Sequence, residues 1–326
     1  VGVGLIAMGV GVSEVEGSMD VTPAKAGVTP ERQERHRKLV HGVICTVAGG
    51  ICWGFSGTCA KFLMETYAVD PVWLVCVREL GSFPLFLIAA FLTNREGLVG
   101  AVSSREGRVE ILKTAVFAIL LSQVGYLESI DWTNSATATV LQSLNLLLVL
   151  GYVCVRKHRR PRKREMLGIA LALAGTYLIA TGGNPGQLQL PIEGIGWSAV
   201  MVLAAALLAI VPAKALARWG SFVVNGYAML VSGVILAAFT RPWDSMPALD
   251  MVGWAWVAAI IVVGTFGAYA LFLQGVKEVG ALKANLLGIS EPVTATILSV
   301  LWMGASFSPL ELVGFVLVFV MVYLTV

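Results

Sequence analysis

Apolar residues run through this chain in blocks of about twenty, and a helix needs about that many to cross the hydrocarbon core of a bilayer. Ten such blocks can be read, at residues 42–64, 71–93, 109–127, 132–155, 164–182, 194–214, 220–240, 249–274, 279–303 and 308–326. The alternating ten-residue segments of an outer-membrane barrel are not present. The pattern therefore predicts an all-α membrane protein of ten transmembrane helices. Residues 1–40 fall outside the blocks and read as a disordered cytoplasmic tail, because their opening VGVGLIAMGVGV is glycine-rich and too short to cross.

Composition strengthens that reading. Of 326 residues, 57% are hydrophobic and 13% charged, where an ordinary soluble domain carries about 25% charged residues. The mean hydropathy is +0.81.

Charge placement orients the spans. Arg156–Arg164, RKHRRPRKR, sets seven permanent cations between two apolar blocks, and cationic loops between spans stay on the cytoplasmic side. With this loop inside, counting crossings puts the N-terminal tail, 94–113, 214–218 and 277–283 inside as well. These segments hold nineteen Lys and Arg residues from Arg32 onward, whereas the five loops placed outside hold Arg241 alone. Both termini are expected in the cytoplasm, and the localisation follows as a multi-pass protein of the plasma (inner) membrane. The net charge of +3 is accounted for by topology, so nucleic acid is not an expected partner and the lipid bilayer is.

A shift of 146 residues lays Glu128–Ala180 over Gln274–Val326 without a gap, matching Leu141 to Leu287, Glu165 to Glu311, Gly168 to Gly314 and Tyr177-Leu178 to Tyr323-Leu324. In this register the loop charges reverse, with Glu128 and Asp131 falling on Gln274 and Lys277. Five spans per half, an odd number, require the second half to lie upside down. Inverted repeats mark transporter folds whose substrate site lies near the midplane between the halves.

The motifs that fall in this frame resemble a known family. WGFSGTCAKFL, Trp53 to Leu63, resembles the W-G-x-x-f-x-x-x-K opening of EamA domains in the drug/metabolite transporter superfamily. Arg78, in CVRELGSFPL, sits where that family commonly carries an arginine. LLGISEPVTATILSVLWMGASFSPLELVGFVLVFVMVYL resembles its closing pattern of an E-P pair, a small turn and a glycine in the last helix. The resemblance covers residues 41–326 and implies two inverted five-helix EamA repeats, 41–182 and 183–326, which export or exchange small metabolites such as amino acids by alternating access. Two departures stand out. The glutamate that the family often places after spans four and nine is replaced by the loop around Arg159 and by Ala305, and Asn145-Leu146 stands where the second half has Glu291-Pro292.

Span four carries Ser135, Thr139, Gln142 and Asn145 on one helical face. The repeat register sets Asn285, Gly288 and Glu291 of span nine against the last three. A polar group facing lipid or a dry core costs roughly 2–7 kcal/mol unless paired, so these stripes are expected either to line a pathway or to bond helix to helix. Glu291, mid-span, must be protonated, paired or hydrated. It is read as a proton-coupling or substrate-amine site, with Pro292 and Gly288 as a hinge, against the alternative of a structural kink. Arg78 is read either as the partner of a substrate carboxylate or as a side chain that reaches the interface or a neighbouring helix. Trp53, Gln123, Tyr126 and Tyr269 are read as a pathway wall or as packing, and Lys61 as a snorkelling side chain at a helix end. Cys45, Cys52 and Cys59 share one helix face and read as interface packing, with no metal or other cofactor expected.

An enzyme is not expected. Gly54-Phe55-Ser56-Gly57 has the G-x-S-G form of an intramembrane serine protease, but such a serine needs a base in reach, and His36, His41 and His158 lie in the tail, at a span edge and in a loop. Ser56 is kept as a pathway candidate. No phosphate-cradling loop is present, so transport without ATP is expected. Another class, a membrane-embedded enzyme or lipid-handling protein, is the competing reading. The sequence leaves the oligomeric state open.

Overall fold

A backbone in lipid must satisfy its own hydrogen bonds, which a helix does within one segment. The computed structural model describes residues 30–184 and 188–325, and among the described residues it contains helices and no strand. Nine of these helices are long and apolar enough to cross a membrane. In order, spans one to nine are His36–Tyr67, Pro71–Thr93, Arg105–Trp132, Ser135–Arg156, Lys163–Thr181, Ile192–Ile210, Ser221–Thr240, Met251–Val279 and Lys283–Leu301. A final apolar helix, Pro309–Thr325, has 17 residues.

Three expectations are corrected. The first helix begins at Pro30, so residues 30–40 are helical rather than disordered; proline suits a first helical position, and Glu34 and Lys38 pair at 2.7 Å one turn apart. The remainder of the tail lies outside the described residues. Segments 94–113 and 214–218, read as loops, contain the short helices Arg95–Ser103 and Ala213–Trp219. Span four, read as continuous, is broken near the middle, as is span nine, where a hinge or kink was read at Gly288 and Pro292.

Local chemistry sets the helix ends. Asp70, Asn134 and Asp250 accept hydrogen bonds from backbone N–H groups three residues on. Ser308 and Glu311 form a reciprocal capping box at 2.6 and 3.2 Å. In the basic loop Arg159 grips Glu165 with two N–H groups at 2.8 and 2.9 Å, and Glu165 also accepts from the Arg162 N–H at 2.6 Å.

Small residues then decide which helices meet, since in lipid close backbone approach drives association. Gly175 and Gly314 face each other so closely that a Cβ on either would lie 2.8 Å from the other's carbonyl oxygen. Gly168 lies against Met321–Thr325, so span five and the final helix run antiparallel. Spans two and seven do the same, with Gly226 on Leu87 and Gly233 on Leu80. So do spans four and nine, joined through Ser135 and Ser299 at 2.9 Å. Spans one and eight are antiparallel through Gly42 and Gly49, as are spans three and six through Gly125 and the Ser129–Ser198 hydrogen bond of 2.8 Å. Span one also runs parallel to span nine, its Gly50 and Gly54 against Ser290–Ala295.

Candidate functional site

Spans four and nine break where their polar stripes meet. Span four divides into Ser135–Gln142 and Asn145–Arg156, and span nine into Ala281–Leu287 and Ser290–Leu301. In span nine the cause is Pro292, which has no N–H to continue the ladder. Ile289 N–H donates to Leu286 O and Glu291 N–H to Gly288 O, three residues back rather than four. Span four breaks without a proline. Its side chains compete for the backbone instead: the Asn145 amide donates to Gln142 O at 2.7 Å, and Thr139 donates to Ser135 O and Ala136 O at 2.8 and 3.0 Å.

The two breaks enclose a cavity of ≈ 40 Å³ lined by Thr139, Gln142, Asn285, Gly288, Glu291 and Pro292, among others. The structure thus brings these candidates together. Gln142 is 4% and Glu291 7% exposed. Among the described residues, the Gln142 amide nitrogen and both amide atoms of Asn285 are buried without a hydrogen-bond partner, and Glu291 makes no ion pair. Asn145 lies behind the cavity, fully buried, with its amide oxygen unpartnered.

A second layer is built around Arg78, which is 2% exposed. Its Nε donates to Thr265 Oγ1 at 2.7 Å. Thr265 belongs to a π-helical segment of span eight, Val262–Gly267, and donates its own hydroxyl hydrogen to Ile260 O, five residues back, at 2.9 Å. The wide turn therefore leaves Thr265 with a lone pair facing Arg78. π-helical turns recur at functional sites, and span three carries its own, Thr114–Leu120, at close to the same position in the first half. The Arg78 guanidinium lies within electrostatic reach of Tyr126, Tyr269, Glu79 and Glu291.

Trp53 meets Tyr269 edge-on at 5.2 Å and Phe272 at 5.1 Å. Buried atoms of Trp53, Ser56, Gln123 and Tyr126 have no hydrogen-bond partner, and Ser56 presses on Gly264 of the π-helical segment. Phe86, Phe266 and Phe222 continue the aromatic layer beyond Tyr269. Phe222 also lines a crevice of ≈ 380 Å³ with Thr93, Trp219, Leu273 and Lys277. The aromatic layer thus lies between that crevice and Arg78.

One side chain departs from the reading made for it. Lys61 does not snorkel. It is 9% exposed and donates to Asp131 O at 2.6 Å, tying span one to the end of span three. Ser135 bonds helix to helix, joining Thr58 at 3.0 Å and Ser299 at 2.9 Å. The sequence reading missed Thr265, the aromatic layer of Phe86, Phe222 and Phe266, and a role for Glu79. The Glu79 carboxyl is fully buried beside Ser232, and neither finds a close hydrogen bond. The only signal for Glu79 was a second ionisable residue adjoining Arg78 within a span.

Comparison with known proteins settles the family. The model of the EamA-like transporter family matches residues 40–181 and again 192–326. The chain belongs to the EamA-like transporter family. Its two matches divide the bundle into spans one to five and spans six to nine with the final helix, and three of the five antiparallel pairs described above, two with seven, four with nine and five with the final helix, join counterparts from the two halves, while one with eight and three with six exchange under the same equivalence. An uncharacterized inner membrane transporter of Salmonella typhimurium, YicL, is 28% identical over 277 residues, 85% of this chain and 92% of its own length. The uncharacterized transporter YcbK of Bacillus subtilis is 22% identical, over 87% of this chain and 92% of its own. A solved crystal structure superposes with a TM-score of 0.57 at 16% identity, over 89% of this chain and 96% of that one, a likeness of fold alone. The family and these relatives are transporters, so the EamA chain is a multi-pass membrane protein of that kind.

Proposed function

We propose that this chain is a secondary transporter of the plasma (inner) membrane. It exports or exchanges small polar metabolites, amino acids or related compounds, by alternating access of two inverted five-helix repeats, residues 41–182 and 183–326. The final helix is the tenth crossing, and the basic loop and both termini face the cytoplasm. Antiparallel contact between counterpart helices supports the inversion, because an in-plane two-fold axis sets equivalent helices head to tail.

The observation that carries the reading is the layer around Arg78. A guanidinium buried among unpartnered polar atoms of Trp53, Ser56, Gln123 and Tyr126 suits a solute that brings its own carboxylate and hydrogen-bonding groups. The aromatic layer is the closed door between this site and the crevice beyond Phe222. Glu291 takes the coupling cation in the cavity between the broken helices.

The test is a panel of labelled amino acids and related metabolites in inverted vesicles, with and without an ion gradient. Arg78→Lys keeps the charge and loses the flat fork that grips a carboxylate, so it should weaken solute affinity at least tenfold. Glu291→Gln should remove the response to the gradient while leaving solute binding. Vesicles that move nothing across the panel would end the transporter reading for this chain.

A further inference from the structure

We propose that the cavity between the broken helices binds a bare monovalent cation of sodium size, at a site separate from the organic solute. The proposal rests on the reading of Glu291 as the coupling group and names the ion that group takes.

Size comes first. The cavity measures ≈ 40 Å³, and on that measure one water needs about 10–15 Å³, so there is room for an ion or a few waters and none for a metabolite. The lining chemistry then selects a cation. Thr139 spends its hydroxyl hydrogen on Ser135 O and Ala136 O, leaving only oxygen lone pairs to offer. Asn285 brings a buried amide oxygen without a partner, and Glu291 brings a carboxyl that makes no ion pair among the described residues. No Lys or Arg lines the cavity among the described residues.

The broken backbone adds more oxygen. Because Ile289 and Glu291 donate three residues back, the carbonyls of Asn285 and Leu287 lose the donors that an unbroken helix would supply. Unwound carbonyls of discontinuous helices are a means by which transporters hold Na⁺ near the midplane. A single carboxylate among neutral oxygens suits a monovalent ion, whereas Ca²⁺ sites assemble about 6–8 oxygens and draw on several carboxylates.

The test is equilibrium binding of ²²Na⁺ to the purified full chain in detergent, against choline at equal ionic strength. The expected result is saturable binding of one ion per chain. Glu291→Gln should abolish it, Asn285→Ala should weaken it about 10–100-fold as loss of a metal-site partner commonly does, and Ser129→Ala, in the contact of spans three and six, should bind as wild type. Wild-type protein with no saturable binding above the choline background overturns the proposal, whatever becomes of the variants. So does wild-type affinity in Glu291→Gln. In vesicles, flux driven by a proton gradient with no response to Na⁺ also overturns it and leaves the coupling role of Glu291 standing. Saturable binding without flux of any solute supports the ion site and removes the transport reading instead.

Discussion

Gly54 is where span one passes closest to the turn that carries Glu291. A Cβ added there would lie 2.5 Å from the Glu291 carbonyl oxygen, 2.9 Å from Thr294 Cβ and 3.0 Å from the Ala295 nitrogen. Two of the three are backbone atoms and cannot swing aside. Restoring an ordinary 3.4 Å contact requires the helices to part by about 0.9 Å, and overpacking of this kind costs about 1–3 kcal/mol. The displacement falls on the residue that lines the cavity, so Gly54→Ala should lower both the thermal midpoint in detergent and the binding of any ion or solute. Gly151 is the control. A Cβ there meets nothing within 4 Å, and alanine for glycine inside a helix is favoured by up to about 1 kcal/mol, so Gly151→Ala should be neutral or stabilising. Both variants are compared by thermal unfolding monitored by size-exclusion fluorescence. A Gly54→Ala protein with the midpoint of wild type, or a Gly151→Ala protein that falls as far, would refute the close-approach argument.

Thr265→Val keeps the shape but removes the acceptor from the Arg78 Nε, and a buried hydrogen bond to a charged group contributes about 1.5–3 kcal/mol; thermal unfolding should show the loss, and an unchanged midpoint would remove Thr265 from the site. Asp250, which caps span eight, is held below the usual carboxylate range by the Gly253 N–H and then by the Tyr67 hydroxyl. A depressed acid stabilises the fold above its unfolded value of about 3.9 and loses that contribution as pH falls through the folded one. Tyr67→Phe should therefore lower the stability at neutral pH and shrink the loss seen below about pH 4, read from thermal midpoints across an acid series, and identical curves would count against the contact. Single cysteines at positions 160 and 306, in a background without the native cysteines, should label from opposite faces of intact cells. Labelling from one face would end the inverted arrangement.

Much of this fold was legible because lipid allows so few solutions. Apolar blocks of about twenty residues have little choice but to cross as helices, and most block ends lie close to helix ends, as at Pro71–Thr93 and Ser221–Thr240. Side-chain placement was legible where periodicity carried it. Thr139, Gln142 and Glu291 do line one cavity, because a polar face on a helix survives any tilt or rotation of its neighbours. The Arg78 layer was only half legible. Its partner Thr265 depends on spans two and eight lying side by side and on a π-helical turn that no local residue announces. Lys61 was misread for a similar reason: a lysine near a helix end snorkels unless a neighbouring helix ends within its reach, and here span three does.

The broken helices carry the argument furthest, because the two halves reach the same geometry by different chemistry. Pro292 breaks span nine by subtraction, removing an N–H. Span four breaks by competition, with Asn145 and Thr139 drawing on backbone carbonyls. A proline in a span can be read directly, whereas a hydroxyl and an amide side chain that together do a proline's work cannot. The difference also decides charge. Where the first half places neutral Asn145, the second places Glu291, so a pair of otherwise similar breaks encloses a cavity with one negative group rather than none or two. A symmetric neutral site would have nothing with which to attract an ion, and a symmetric acidic one would repel itself in a medium of low dielectric. The asymmetry of the two halves is thus what gives a nearly symmetric bundle a carboxyl at one of its two breaks and not at the other, within reach of the buried Arg78.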